Sequence, residues 1–391
     1  MGCFLFVVPP LAGHVNPTLS VGRELARRGH DVAWTGMPGA VDRLLPPDCP
    51  FLPGGDPGAV AHVDDLRDRS VGLRSAAAFK FLWESVLIPM AHAMADGVDA
   101  VVEAWRPDVL IADQQTLAGP AVALRRGIPW ATSATTTAEM VDALAGLPRA
   151  EEWVDDLVAG FLASVGLDAR VAPGDVRCSD ELVLVFSTRR LVGEDRSFPP
   201  HYVFVGPSIS DRPEPDPFPW EWLEPGVPHV VVSLGTLNSE AGGRFFRVAG
   251  EALAGEALQA VFVAPPGMVP PSSNLLVRPR VPQLALLRQT DAVVSHGGHN
   301  TVCEALAHGL PLVLAPIRDD QPIVADQVVQ AGAGVRVKFG RVLPGDLGKA
   351  VRSVLDEPGY RAAAGEIKRS FDAAGGAPAA ATQLEALLCA E

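Results

Sequence analysis

The chain has no CxxC pair, no GxGxxG after its first strand candidate, no GxSxG, no HExxH and no Walker A sequence. These absences argue in turn against a zinc clamp or dithiol redox site, an evident dinucleotide fingerprint, a serine-hydrolase elbow, a zincin helix and a P-loop. Cysteine is scarce. Cys3, Cys49, Cys178, Cys303 and Cys389 are odd in number and widely spaced. That pattern reads as a reduced, intracellular chain without structural zinc. Lysine is scarcer still: there are four, and arginine carries almost all the positive charge. With abundant Ala, Gly and Pro, this reads as a high-GC coding bias, so arginine abundance has no functional weight. The net charge is −14 and the pI about 5.1. A nucleic-acid partner would require a basic face instead. No stretch approaches the roughly 18 uninterrupted apolar residues of a membrane span. The opening MGCFLFVVPP lacks a basic n-region, and its apolar run is too short for a signal peptide. The expectation is a soluble, cytoplasmic protein with no stable membrane insertion.

What is present is a repeating pattern. At 391 residues the chain exceeds the usual span of a single core, and 48% apolar residues are ample for two. Cys3 to Val8 reads as a central parallel strand, followed by a loop, a helix from about Pro17 to Arg28 and a strand from Asp31 to Thr35. Further strands are expected at 109–112, 130–133 and 182–186, with helical stretches at 75–102 and 119–126. The segment 206–228 is dense in proline and carries no periodicity, so it reads as a linker anchored by Trp220, Trp222 and Leu223. The pattern then restarts, with strands expected at 229–233, 260–263, 275–278, 292–295, 312–315 and 335–337. The reading is α/β, two doubly wound Rossmann-like domains: 1–207, a linker at 208–228, a second domain at 229–375, and a C-terminal helical segment at 376–391.

The chemistry-bearing residues cluster after strands, where open α/β sheets bind ligands. HGGHNTVCEAL, from His296, passes from a strand through a glycine turn into a helix. Such a passage aims backbone N–H groups and a helix dipole at one point and makes an anion site. His296 stands at its mouth, Asn300 and Thr301 in the first turn, and Glu304 one turn inside, where a carboxylate reaches ribose hydroxyls. His14 lies in the loop after the first strand; an imidazole there titrates near neutral pH, as a general base should, although a lone GH pair is more often a solvated turn. Asp113 follows another strand and suits the ring of His14 as the Asp of a triad does, but alone it is as often a helix cap. SLGTLN, with Thr236, is a third strand-to-glycine turn, and by itself an ordinary one. Asp319, Asp320 and Gln321 offer acceptors and donors suited to sugar hydroxyls, with a capping loop as the even competitor. Phe79, Phe81, Trp83 and Trp153 suit an apolar pocket, though core packing is their commoner fate. Three or four metal ligands do not gather in sequence anywhere.

In order and spacing these segments resemble the nucleotide-sugar-dependent glycosyltransferases of GT-B fold, in the family 1 type with the bacterial antibiotic and carotenoid branch. The resemblance covers nearly the whole chain and rests on GHVNP, VLIAD, SLGT, VPQLALL, HGGHNTVCEAL and DDQP. It implies two domains facing across a cleft, with a last helix near 378–388 that crosses back to the first. It implies inverting transfer of a hexose or deoxyhexose from a UDP- or dTDP-sugar to a hydroxyl of a small, largely apolar natural product, of polyketide or macrolide type. His14 would be the base and Asp113 its partner. His296, Gly298, Asn300, Thr301 and Thr236 would receive the diphosphate, Val281 and Gln283 the base, Glu304 the ribose, and Asp320 and Gln321 the sugar. No cofactor and no metal is implied, and the protein would be a monomer or homodimer. His299 departs from the pattern, which commonly has an apolar or aromatic residue there. Two other classes are a nucleotide-sugar epimerase of GT-B fold, which would give no reason for an acceptor pocket, and a non-catalytic homologue, in which loss of the base or the phosphate loop would be expected.

Overall fold

The computed structural model describes residues 1–58, 75–137, 148–168, 176–209, 217–235 and 242–389. It divides into two units: 1–186 with 197–210 and 374–391, and 187–196 with 211–373. The segment 187–196, which a division at 207 assigns to the first domain, clusters with the second unit, and the last segment clusters with the first.

In the first unit, seven parallel strands form one sheet: β1 (Cys3–Val7), β2 (Asp31–Gly36), β3 (Phe51–Pro53), β4 (Val109–Asp113), β5 (Trp130–Ala134), β6 (Leu182–Val185) and β7 (Tyr202–Phe204), in the order β3-β2-β1-β4-β5-β6-β7. The central strands are continuous apolar runs because both their faces are covered. Side chains alternate between those faces. Leu5 and Val7 join a core with Trp83, Met94 and Val98; Phe4 and Phe6 join the opposite core with Val15, Leu19 and Leu25. Helix α1 (Ala12–Arg27) supplies the second set and α2 (Ile88–Trp105) much of the first. Helices α3 (Ala118–Arg126) and α4 (Pro148–Ser164) complete the first layer. β3 and β7 were not expected. Each has three residues and sits at a sheet edge, too short to show a period.

Helix α1 starts at Ala12 rather than Pro17. The N–H groups of His14 and Val15 already bond the Leu11 carbonyl at 2.9 and 3.0 Å, closing a first turn. Pro17 then sits inside the helix, where its missing N–H removes a single ladder bond. His14 is thus fixed in a helical turn, not in a loop. The helical stretch from Ala77 to Trp105 is, by length and composition only, apolar enough to cross a membrane, a test that the core helix of a soluble protein also passes. Here one side of it is core, through Trp83, Leu87, Met90, Met94, Val98 and Val102, while Asp99 pairs with Arg125 and Arg126.

The second unit begins with α5 (Arg189–Val192), held by a 2.8 Å contact between the Thr188 and Ser370 hydroxyls and by the burial of Leu191. Its six parallel strands are β8 (His229–Ser233), β9 (Gln259–Val263), β10 (Leu275–Arg278), β11 (Ala292–Ser295), β12 (Leu312–Leu314) and β13 (Gly334–Arg336), in the order β10-β9-β8-β11-β12-β13. The helices are α6 (Gly243–Leu253), α7 (Gln283–Leu287), α8 (His299–Ala307), α9 (Gln321–Gln330), α10 (Pro344–Asp356) and α11 (Pro358–Ala374). The described part of the proline-rich segment is pinned by Phe218 and Leu223, with Trp220 and Trp222, against Val231, Val261 and Leu286. The last helix, α12 (Gly376–Leu387), belongs to the first unit, where Ala380, Ala381 and Leu384 are buried beside Leu25.

Both sheets reverse direction of build beside their first strand. The switch falls between β1 and β4 in one and between β8 and β11 in the other. Strands that diverge there leave a crevice at their carboxyl ends.

Candidate active site

In the first unit, His14 comes off the turn that follows β1, and Asp113 is the last residue of β4, its neighbour across the switch. His14 Nδ1 lies 3.0 and 2.9 Å from the two carboxylate oxygens of Asp113. The Asp113 side chain is fully buried, and that of His14 is 14% exposed. Asp113 also accepts the Gln115 N–H at 2.9 Å. It does not cap α3, whose N-cap residue is Leu117, so the capping alternative falls away. Thr135, just past β5, closes the group: its hydroxyl donates to Asp113 Oδ2 at 3.0 Å and stands 2.8 Å from His14 Nδ1. Sequence reading missed Thr135. Its place beyond a strand was a signal, but four hydroxyl residues follow one another closely in SATTT and nothing singled out one of them.

In the second unit, the turn after β11 carries His296, Gly297 and Gly298, with Gly298 as the N-cap residue of α8. The His296 ring is buried rather than at a mouth. Two glycines make room for it. A Cβ on Gly235, which follows β8 with φ of +69°, would stand 2.8 Å from His296 Cε1, and one on Gly298 would stand 2.5 Å from Nε2. Burial lowers the imidazole pKa to about 4, against the opposing pull of Asp320 and of a hydrogen bond to the Ser233 backbone. The ring is therefore uncharged at neutral pH. Asn300 and Thr301 are half-buried in the first turn of α8.

Glu304 is buried one turn further on, and Gln283, first residue of α7, donates its Nε2–H to Glu304 Oε2. Val281 is buried in an apolar cluster with Val261 and Leu286. Asp320 occupies the N-cap position of α9 without a side-chain cap bond. Asp319 before it has a left-handed φ of +55°, a conformation that aspartate tolerates better than most residues. Gln321 is buried, and its Oε1 accepts the N–H groups of Ile317 and Arg318 at 2.9 and 3.2 Å. A Cβ on Gly297 would lie 3.1 Å from the Gln321 carbonyl, so the DDQP turn and the HGG turn meet. Thr236 falls outside the described residues. His299, the departure from the expected pattern, is buried, with its Nε2 3.4 Å from Cys303 Sγ.

The aromatic residues split. Trp83 is core, whereas Phe79 and Trp153 are half-buried against it, and the Arg177 guanidinium lies 5.7 Å from the Trp83 ring centre. A cavity of about 720 Å³ opens at the opposite, amino edge of the second sheet, lined by His229, Arg288, Asp291, His308 and Arg361, and contains none of the candidate residues. Among the described residues, no three His, Cys, Asp or Glu side chains converge as a metal site requires.

Residues 196–369 match the family model described as "UDP-glucoronosyl and UDP-glucosyl transferase". The chain is 32% identical to 4'-demethylrebeccamycin synthase of Lentzea aerocolonigenes, over 94% of its own length and 95% of the relative's. It belongs to this glycosyltransferase family. The glycosyltransferase is also similar in structure to the glycotransferase of kitacinnamycin, with a TM-score of 0.77, 27% identity and 99% of each chain covered. At 21% identity it shares the fold of glycosyltransferase VinC, solved in complex with DTDP, with a TM-score of 0.75 over 98% of this chain and 99% of that one. Its two parallel sheets are the GT-B architecture of these neighbours. It is a nucleotide-sugar-dependent enzyme of natural-product type.

Proposed function

We propose that this glycosyltransferase moves a hexose or deoxyhexose from a UDP- or dTDP-sugar to a hydroxyl of a small, largely apolar natural product, with inversion at the anomeric carbon. The reading rests chiefly on the His14–Asp113 pair. An imidazole whose Nδ1–H is given to a buried carboxylate carries its lone pair on Nε2, the nitrogen that takes the acceptor's proton. The acceptor oxygen then forms its bond to the anomeric carbon as the bond from that carbon to the diphosphate breaks. The electron pair leaves with the diphosphate, while Asp113 stabilises the imidazolium.

The second unit would hold the donor. The diphosphate's charge is met by the N–H groups at the start of α8 and its dipole, with His296, Gly298, Asn300 and Thr301 around them. A neutral His296 contributes a hydrogen bond, not a charge. Glu304 accepts the ribose hydroxyls, steadied by Gln283. The Val281 side chain is used in packing, so its main chain is what it offers to the base. Asp320 accepts from sugar hydroxyls. The Gln321 carbonyl oxygen is already engaged, so its NH₂ is the group that donates to them. The half-buried aromatic edge of Phe79 and Trp153 suits a largely apolar acceptor.

The test is His14→Ala. Transfer is expected to fall about 10²- to 10⁴-fold, the usual worth of a general base, while affinity for UDP or dTDP is unchanged. Equal loss of nucleotide affinity would place His14 in the donor site instead. With amide groups rather than a cation neutralising the diphosphate, incubation with EDTA should leave the transfer rate unaltered, and loss that magnesium restores would contradict the metal-free reading.

A further inference from the structure

Thr135 belongs to no motif, yet its hydroxyl touches both members of the proposed base. Oγ1 lies 3.0 Å from Asp113 Oδ2 and 2.8 Å from His14 Nδ1, and the residue is 3% exposed. Asp113 ends β4, Thr135 directly follows β5, and His14 comes off the first turn of α1, which follows β1; β4 lies between β1 and β5. The sheet itself sets the triangle: Asp113 and Ser133 are register partners, and Thr135 follows two residues on.

The hydrogens in this triangle can be assigned from chemistry alone. An ionised carboxylate only accepts, whereas a threonine hydroxyl has one hydrogen to give and lone pairs to receive. With its hydrogen directed at Asp113, the hydroxyl presents an acceptor to the ring. The ring nitrogen facing it must then be the one that carries hydrogen. That hydrogen is surrounded by three acceptors, Asp113 Oδ1, Asp113 Oδ2 and Thr135 Oγ1, at 3.0, 2.9 and 2.8 Å from Nδ1. A carboxylate alone would fix the tautomer but leave the ring able to pivot between its two oxygens. The third acceptor, from a different strand, defines the plane.

We propose that Thr135 is a positioning residue for the transfer reaction, its hydroxyl holding His14 in the Nδ1–H tautomer and in one ring plane so that Nε2 meets the acceptor hydroxyl. The reaction named here rests on the glycosyl-transfer reading; the tautomer and the ring plane do not. The device also explains why a hydroxyl is buried at the end of β5: its donor and acceptor capacities are both used by the pair beside it.

The test compares Thr135→Val, which keeps the shape and removes the hydroxyl, with Thr135→Ser, which keeps the hydroxyl. Two readouts are taken on each variant and on the unaltered protein: nitrogen-15 NMR of the His14 ring, which reports the tautomer without turnover, and steady-state transfer. The unaltered protein should show the Nδ1–H tautomer. Thr135→Val should show a mixed or mobile ring and a kcat lowered about ten- to hundredfold, the scale of a hydrogen bond to a charged group, with KM for donor and acceptor unchanged. Thr135→Ser should restore both. A Thr135→Val protein with an unchanged ring spectrum and unchanged kcat overturns the proposal, and so does a Thr135→Ser variant impaired as badly as Thr135→Val, which would mean that the methyl group matters and not the hydroxyl. If no variant transfers sugar while Thr135→Val still alters the ring spectrum, the transfer reading fails and the positioning of His14 stands.

Discussion

At neutral pH the His296 ring is uncharged in the folded protein, because burial between Gly235 and Gly298 holds its pKa near about 4. In the unfolded chain the same ring takes a proton near about pH 6.5. Above that pH both states are neutral and the difference vanishes. As pH falls from there toward the folded value, the unfolded state alone gains a proton, and stability is lost by up to about 3 kcal/mol. His296→Gln should therefore flatten the fall in urea-unfolding free energy over that window, relative to the unaltered protein. Parallel curves for the two proteins would mean that the ring is already charged when folded. At this same scale the legibility of the site was uneven. His14 and Asp113 could be read because one follows a strand and the other ends one, and each is the only residue of its kind there. Thr135 could not, since its role depends on three strands lying side by side, which no local pattern records. The burial of His296 was invisible for the same reason: it follows from glycines on two different turns.

At the scale of elements, α12 shows how a segment remote in sequence becomes part of the first core. Arg28 reaches Glu385 at 2.6 Å, and His30 Nε2 approaches the other carboxylate oxygen at 2.9 Å. These groups are partly solvated, so the ion pair contributes little, about 1 kcal/mol or less. Burial contributes more. Leu384 is fully buried with Leu25 and Val21. Leu384→Ala should destabilise the first unit by about 2–5 kcal/mol in a denaturant titration, whereas Glu385→Ala should change it by about 1 kcal/mol or less. A larger effect at Glu385 than at Leu384 would reverse this ordering of forces. The long apolar strands were legible because burial on both faces writes itself as an unbroken hydrophobic run. β3 and β7 were not, being three-residue edge strands. The start of α1 was misread for a specific reason. Pro17 favours the first turn of a helix, and Leu11, the actual N-cap residue, makes no side-chain cap bond, so nothing in the sequence marked Ala12.

At the scale of the whole molecule, two units each place polar chemistry at the switch point of a parallel sheet. The first unit carries the imidazole–carboxylate pair and the half-buried aromatic edge; the second carries the glycine-flanked helix start and the Gln283–Glu304 pair. Length, composition and the restarted strand pattern made this duplication legible. The crossing at 187–196 was not, because it is decided by contacts such as Thr188 with Ser370 rather than by composition, whereas the return of the last helix was implied by the resemblance. The account divides the labour accordingly, with proton transfer in the first unit and donor binding in the second. Calorimetric titration of UDP and dTDP into the unaltered protein, His14→Ala and Glu304→Gln tests that division most directly. The account predicts that one or both nucleotides bind the unaltered protein and His14→Ala equally, and bind Glu304→Gln at least about tenfold more weakly, as loss of a charged hydrogen-bond acceptor implies. Binding lost in His14→Ala, or untouched in Glu304→Gln, would contradict it.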